Sequence, residues 1–302
     1  MTAAPLLAVD IGKTTCRVRV DGADLTGPGS VGLAEPDGAE AVLRAVADLL
    51  GDVRSHQVAH AQACVATAGH VQGSPAASAA RLFVERFDLA SCAVTSDAIA
   101  SHVGALGGAP GVVLAAGTGS IAVGVSAAGE IHVVDGVGQW LGDEGSGAWI
   151  GLEGLRAAVR AHDGRGPHSL LRAAAQESYG DLDEIAVTLQ ASGNVPQAAA
   201  RFASTVCRLA GDDALAASII ERAAQALAST AVTAARRSGH REVSLVGGLQ
   251  ELGPALLDPW RRHLADAGLL VVAARGSALD GAATLAVRRD LPHEPAVIRV
   301  DG

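Results

Sequence analysis

Residues 6–20 read Leu6-Leu7-Ala8-Val9-Asp10-Ile11-Gly12-Lys13-Thr14-Thr15-Cys16-Arg17-Val18-Arg19-Val20. An apolar run with β character meets a glycine turn, and the residues after the turn alternate apolar with charged. Alternation with a period of two marks a half-buried antiparallel strand. Strand, glycine turn, strand is a hairpin, which differs from the strand–turn–helix of a Walker loop. The pattern then recurs. An apolar strand over 111–116 leads into Gly117-Thr118-Gly119-Ser120, a second strand over 121–125 and a third over 130–134. Two such hairpins, each opening one half of the chain, are what a two-lobed fold built from a repeated unit leaves behind.

Between and after the hairpins the periodicity shifts to that of helices. Residues 37–50 place Ala39, Val42, Leu43, Val46 and Leu49-Leu50 on one face. A strand over 60–68 ends at Gly69-His70, a helix covers 76–87, a short strand 93–94, and Ser96-Asp97 opens a helix over 98–106. Gly107-Gly108-Ala109-Pro110 reads as a domain joint. Helices are predicted over 149–162, 169–177, 182–191, 195–209 and 214–238. Strands follow at 242–246 and 268–272, and a closing helix at 280–289. Strands alternating with helices give an α/β class.

Composition narrows the function. Among 302 residues, 49% are hydrophobic but only 2% aromatic, so the core must be built from Ala, Val and Leu. The net charge of −9 and the lack of any basic run longer than Arg236-Arg237 or Arg288-Arg289 argue against a nucleic-acid partner. Cys16, Cys64, Cys92 and Cys207 are dispersed, with neither metal-ligand nor disulfide-framework spacing, and read as small buried side chains. The first residues lack a basic segment, and no apolar stretch reaches the roughly 18 residues of a membrane helix. A cytoplasmic protein with no membrane partner is expected.

Five elements carry candidate chemistry. In Asp10-x-Gly12-Lys13-Thr14-Thr15, the glycine permits close approach of a phosphate, and amides and hydroxyls can bond its oxygens. Asp10, at a strand end, suits Mg²⁺ held through water. Gly117-Thr118-Gly119-Ser120 has the same chemistry, although each turn alone also fits an ordinary hairpin. Gly142-Asp143-Glu144-Gly145-Ser146-Gly147 sets two acids between glycines before a helix. Asp143 there suits neighbouring sugar hydroxyls, and Asp143 or Ser146 suits a helix cap. Ser96-Asp97 reads as a cap or as a carboxylate reaching a ligand. In Val246-Gly247-Gly248, paired glycines let an adenosine lie against the backbone, or make a plain β-to-α turn. His70 reads either as a cleft-facing group or as a loop imidazole.

In this order, the five elements resemble the superfamily of acetate kinase, sugar kinases, Hsp70 and actin. The segment Leu141-Gly142-Asp143-Glu144-Gly145-Ser146-Gly147-x-Trp149-Ile150-Gly151 is similar to the branch of N-acetylglucosamine kinases and BadF/BadG/BcrA/BcrD-type ATPases. The resemblance implies two actin-like (ribonuclease H-like) domains with a cleft between them. One would hold residues 1–106 plus 281–302, beginning its return at Asp280-Gly281-Ala282-Ala283; the other would hold 107–280 with a helical insert. It implies ATP and Mg²⁺ as cofactors, nucleotide contacts from Gly12, Lys13, Thr14, Thr15, Gly117, Thr118, Gly119, Ser120, Gly247 and Gly248, and Asp97 as catalytic base. Substrate contacts fall to Asp97, Gly136, Asp143, Gly69 and His70. Relatives often read Gly-Trp-Gly where this chain has Gly136-Val137-Gly138, with Trp140 nearby. In N-acetylglucosamine kinases that tryptophan packs near the acetamido group. Its replacement points to the 6-hydroxyl of glucosamine as acceptor, with N-acetylglucosamine the alternative. An acid of the insert (Asp163, Glu177, Asp181, Asp183 or Glu184) is expected to meet the ammonium. A nucleotide-driven activator ATPase of the BadF type is the reading from another class, and the dispersed cysteines argue against its shared cluster. A sugar-sensing repressor needs an N-terminal helix-turn-helix, for which the first strand at Leu6 leaves no room. Relatives are often dimers, so a homodimer is a further partner reading.

Overall fold

The computed structural model describes residues 5–20, 22–69 and 73–302, without the side chains of 52 and 53. The chain divides into two compact units. The first comprises the chain through Gly111 together with Val125–Ile131 and Ala273–Gly302; the second comprises Val112–Gly124 and His132–Val272.

The first unit opens with β1 (Leu6–Ile11), β2 (Thr15–Val20) and β3 (Ala23–Pro28), followed by α1 (Gly38–Gln57), β4 (Gln62–Thr67), α2 (Ser74–Phe87), β5 (Ser91–Ser96) and α3 (Asp97–Leu106). The second contributes β6 (Gly111–Ala116), which begins at the boundary, then β7 (Ser120–Val125), β8 (Ile131–Asp135), α4 (Gly147–His162), α5 (Leu170–Tyr179), α6 (Ile185–Ala191), α7 (Val195–Ala200), α8 (Ala203–Leu209), α9 (Ala214–Ser238), β9 (Glu242–Val246), α10 (Pro254–Asp266) and β10 (Leu270–Val272). The chain then returns to the first unit as α11 (Ala278–Val287) and β11 (Ile298–Asp301).

The sheets run β11-β5-β4-β1-β2-β3 and β10-β9-β6-β7-β8. Read from the hairpin outward, β3-β2-β1-β4-β5 in one unit has the same order as β8-β7-β6-β9-β10 in the other. The duplication visible in the two glycine turns is therefore a duplication of topology. In each sheet the first strand of the hairpin pairs in parallel with the strands that follow, β1 with β4 and β4 with β5, β6 with β9 and β9 with β10. The α/β class and the two-domain actin-like architecture are thus present.

In the first unit, alternation decides which side chain meets which layer. Leu7, Val9 and Ile11 of β1 join Val42, Val46, Phe83 and Phe87 of α1 and α2 in one core. Ala8, Cys64 and Ala66, fully buried, point to the other face. There α11 packs on β1 and β4, and α3 packs on α11. Small residues let these helices approach closely: a Cβ on Gly281 would lie 1.9 Å from the Ala100 carbonyl oxygen, and one on Gly104 would lie 1.8 Å from that of Ser277. The second unit is cored by α9, whose Ala216, Ile220, Ala223, Leu227, Ala231 and Ala234 form one buried stripe at helical spacing. Asp213 caps α9 through the Leu215 and Ala216 amides at 2.9 and 3.0 Å, and its other oxygen takes Ser169 Oγ at 2.7 Å at the start of α5.

Several elements depart from the sequence reading. The helix predicted over 195–209 is two helices, because Phe202 turns into the core against Tyr179 and its amide bonds the Ala199 carbonyl three residues back. The 37–50 helix continues to Gln57 past a break at Gly51, where φ is 64°. A helix stands over Pro254–Asp266, β3 extends the first hairpin, and β11 pairs antiparallel with β5; none of the three was expected. Among the described residues no helix is long and apolar enough to cross a membrane. Gly281→Val should lower the thermal unfolding midpoint by roughly 5 °C or more, since overpacking at a fixed helix crossing costs about 1–3 kcal/mol. Calorimetry measures it, and an unchanged midpoint would contradict the α3–α11 contact.

Candidate active site

In the first unit the three parallel strands end level with one another. Ile11 of β1 pairs with Thr67 of β4, and Thr67 pairs with Ser96 of β5. Their carboxyl edge therefore carries Asp10, the 12–15 turn, Gly69 and Asp97. Ligands of open α/β sheets sit at such an edge. His70 lies outside the described residues.

Asp97 is the first residue of α3. The cap belongs to Ser96, whose hydroxyl accepts the Ile99 amide at 3.3 Å. Asp97 keeps one oxygen on its neighbour's amide, Ala98 N at 2.8 Å. Burial pushes its carboxyl up to about 6 and the charge of Asp10 adds to the rise, while the Ala98 and Asp97 amides oppose it. Burial also raises Asp10, against the pull of Arg17. The hairpin register sets Arg17 opposite Asp10, with Arg17 Nη1 3.2 Å from Asp10 Oδ2.

The first turn is tied down by protein amides. Gly12 N donates to Thr15 O at 2.9 Å, Gly29 N to Thr14 O at 3.0 Å and Ser30 N to Gly12 O at 3.1 Å. Carbonyls committed in this way are turned from a ligand, while Lys13 and Thr14 are exposed beside them. Mg²⁺ fits this donor set: it takes one or two carboxylates and keeps its remaining positions for water and phosphate, and Asp10 and Asp97 are hard oxygen donors, the charge of the first adding to the raised pKa of the second. No group of three or more acidic, His or Cys side chains with metal-holding geometry occurs among the described residues.

In the second unit, Ala115 of β6 pairs with Val246 of β9, so the 117–120 turn and Gly247-Gly248 share a carboxyl edge. Gly247 has φ 96°, and a Cβ there would come within 2.4 Å of the Ala116 carbonyl oxygen, so only glycine fits. The start of α4 docks on the turn: Gly147 N donates to Gly117 O at 2.8 Å and Ala148 N to Thr118 O at 3.1 Å. Ser146 caps α4 through the Trp149 amide at 3.2 Å, which decides between Ser146 and Asp143 for that role. The carbonyls of the second turn are thus also held by protein amides, as in the first.

Asp143 sits beside this turn, its carboxylate packed on Gly119. Burial raises its pKa, the Ser120 amide works against that, the charge of Asp135 adds to it, and the Gly138 amide lowers it. Gly136 lies in the same loop, its amide 2.8 Å from Asp135 Oδ1. Trp140 and Leu141 at the loop tip are 80% and 86% exposed. Of the insert acids, Asp163 pairs with Arg165 at 2.6 Å and Asp183 with His162 at 3.2 Å.

The sequence reading missed Arg17, Gly29, Ser30 and Asp135. Counting outward from the turn pairs Asp10 with Arg17, so that contact had a sequence signal; the others depend on chain crossings that have none. All four cysteines are buried, and burial pushes the thiols of Cys16 and Cys64 up to about 11 and about 12, so neither offers a thiolate.

The chain has relatives among solved structures. A candidate N-acetylglucosamine kinase from Chromobacterium violaceum aligns with TM-score 0.73 and 25% identity, over 95% of this chain and 100% of that one. A second candidate N-acetylglucosamine kinase, from Porphyromonas gingivalis, gives 0.70 and 18% over 97% and 99%. A ROK family glucokinase from Streptomyces griseus, in complex with glucose and AMPPNP, gives 0.59 and 20% over 93% and 99%. The last two share the fold. No curated protein matches the chain in sequence. The family model of the BadF/BadG/BcrA/BcrD ATPases matches residues 8–258. That match runs through both units and every motif from Asp10 to Gly248, and the chain belongs to the BadF/BadG/BcrA/BcrD ATPase family.

Proposed function

We propose that this chain is an ATP-dependent sugar kinase that transfers a phosphoryl group to the 6-hydroxyl of glucosamine, with Asp97 as the base. The observation that carries the reading is the pairing of Asp97 with Asp10 at the strand ends, beside a glycine turn whose carbonyls are already bonded. Membership of an ATPase family supports the nucleotide, and the relatives described as N-acetylglucosamine kinases and a glucokinase support a sugar acceptor.

Each residue then has a task. The 12–15 and 117–120 turns offer amides and hydroxyls to phosphate oxygens, and Lys13 adds charge. Gly247-Gly248 receives the adenosine, where a side chain would obstruct it. Asp143 accepts bonds from acceptor hydroxyls; a carboxylate has about four acceptor positions, so the bonds from Ser120 and Gly138 leave room. Gly69, His70 and Gly136 are the further residues that the proposal assigns to acceptor binding. Asp10 would hold Mg²⁺ through water, and the ion, when bound, neutralises charge on the transferring phosphoryl group. Asp97 orients the 6-hydroxyl and takes its proton late, as the bond to phosphorus forms. A carboxylate pushed up to about 6 is a better proton acceptor near neutrality than an ordinary aspartate. The unacetylated acceptor is argued from Val137, which stands where acetamido-binding relatives carry tryptophan; the exposed Trp140 does not fill a core position in its stead. The two domains correspond to residues 1–106 plus 281–302 and 107–280, the first carrying the base and the second Asp143.

Two measurements test the proposal. ADP release should be fastest with glucosamine in a panel that also holds N-acetylglucosamine, glucose, N-acetylmannosamine and no sugar, with the sugar-free rate lower by about 100-fold; equal rates with and without sugar would remove the kinase reading. Asp97→Asn should cut turnover by about 100-fold or more with acceptor affinity kept within a few-fold. Because the shift is upward, Asp97 is protonated below pH 6 and cannot accept a proton there. The kcat/KM of the wild type should rise about tenfold per pH unit below 6 and level off above it, and Asp97→Asn should lose this slope. Unchanged turnover in the variant would take Asp97 out of the mechanism.

A further inference from the structure

We infer that Asp135 is a positioning residue for the acceptor site, fixing the backbone that aims Asp143; the inference rests on the kinase reading above. Asp135 ends β8 with φ 63°, in the left-handed region that favours glycine. Its Oδ1 accepts the Gly136 amide at 2.8 Å and the Asp143 amide at 2.8 Å, and its Oδ2 accepts the Glu144 amide at 3.1 Å. One side chain therefore closes the loop between residues 135 and 143. Asp143 is itself left-handed, with φ 55°. A residue with a Cβ persists there only when its surroundings hold it, and the amides on either side of its α-carbon are those of 143 and 144.

Packing cannot do this holding. The loop tip presents Val137, Trp140 and Leu141 at 64%, 80% and 86% exposure, so apolar burial contributes little to its shape. Two internal bonds, Leu141 N to Gly138 O at 3.1 Å and Gly142 N to Gly138 O at 2.8 Å, curl the tip without joining its ends. The join falls to Asp135. From there the order passes outward: the fixed 143–144 backbone directs the Asp143 carboxylate onto the Ser120 amide, and so onto the second glycine turn. Asp135 acts on the acceptor through Asp143 and on the turn through the same carboxylate.

The test is a double-mutant cycle on the full chain with Asp135→Ala, Asp143→Ala and the pair, combined with hydrogen exchange. Asp135→Ala should raise the acceptor KM by about tenfold or more while kcat falls far less, with the melting midpoint within about 3 °C of wild type. In the Asp143→Ala background the same change should cost under about threefold, because the residue through which it acts is gone. Asp135→Asn, which retains one acceptor oxygen for two of the three amides, should recover part of the KM. Losses that multiply in the double variant, or an unmoved KM, would overturn the inference. Exchange separates its failure from that of the kinase reading. Protection of the Asp143 and Glu144 amides should drop about tenfold or more in Asp135→Ala, whether or not any sugar is phosphorylated. Unchanged protection overturns the positioning role even in an active kinase, whereas lost protection in a chain that phosphorylates no sugar condemns the kinase reading alone.

Discussion

Two acidic side chains stand at the carboxyl ends of β1 and β5, parallel strands separated by β4 alone, and the register leaves neither of them free to move away. Asp10 is fixed one residue before the end of β1, and Asp97 directly follows β5. Both are drawn from water, the charge of Asp10 adds to the rise at Asp97, and Arg17 answers only Asp10. Like charges held together in partial burial are costly, and proteins retain such arrangements chiefly where the shifted acid is put to use. A cation or an incoming proton relieves the repulsion. The proposed chemistry supplies both, so the electrostatic tension and the reaction have the same location.

Around this edge the fold repeats one solution in each unit. A hairpin and following parallel strands bring a glycine turn to the carboxyl edge, and amides from elsewhere in the unit tie up the turn's carbonyls. In the first unit those amides come from the segment after β3; in the second they come from the first turn of α4. The donors differ while the result is common, as expected if what matters is a surface with its lone pairs turned away from an anion. The scarcity of aromatic residues fits the same plan. Ala8, Cys64 and Ala66 line the sheet face beneath α11, and Gly104 and Gly281 let α3 and α11 cross at close range. The helix that begins at Asp97 is thereby braced from behind.

How much of this could be read in the sequence depended on how local each signal was. The hairpins, α9 and β6 stood out because alternation, glycine turns and a long apolar stripe are properties of contiguous residues. β3 did not, since Asp24, Gly27 and Pro28 disfavour a strand and pair only because β2 lies beside them. α10 was hidden by Pro254 and Pro259, although Leu256, Trp260 and Leu264 keep helical spacing. The break between α7 and α8 follows from the burial of Phe202, a tertiary event. At the site, Asp10, Asp97, Asp143 and the two turns could be named from motif order, and Asp97 was separated from the capping role only by geometry. Asp135 was invisible because its partners, eight and nine residues on, reach it only through a left-handed loop.

The most direct test of the account is the titration of the Asp97 carboxyl carbon by NMR, assigned through its loss in Asp97→Asn, in the wild type and in Asp10→Asn. A midpoint near 6 that falls when the neighbouring charge is removed is the predicted result. A midpoint near the ordinary value of about 4, unmoved by Asp10→Asn, would contradict it.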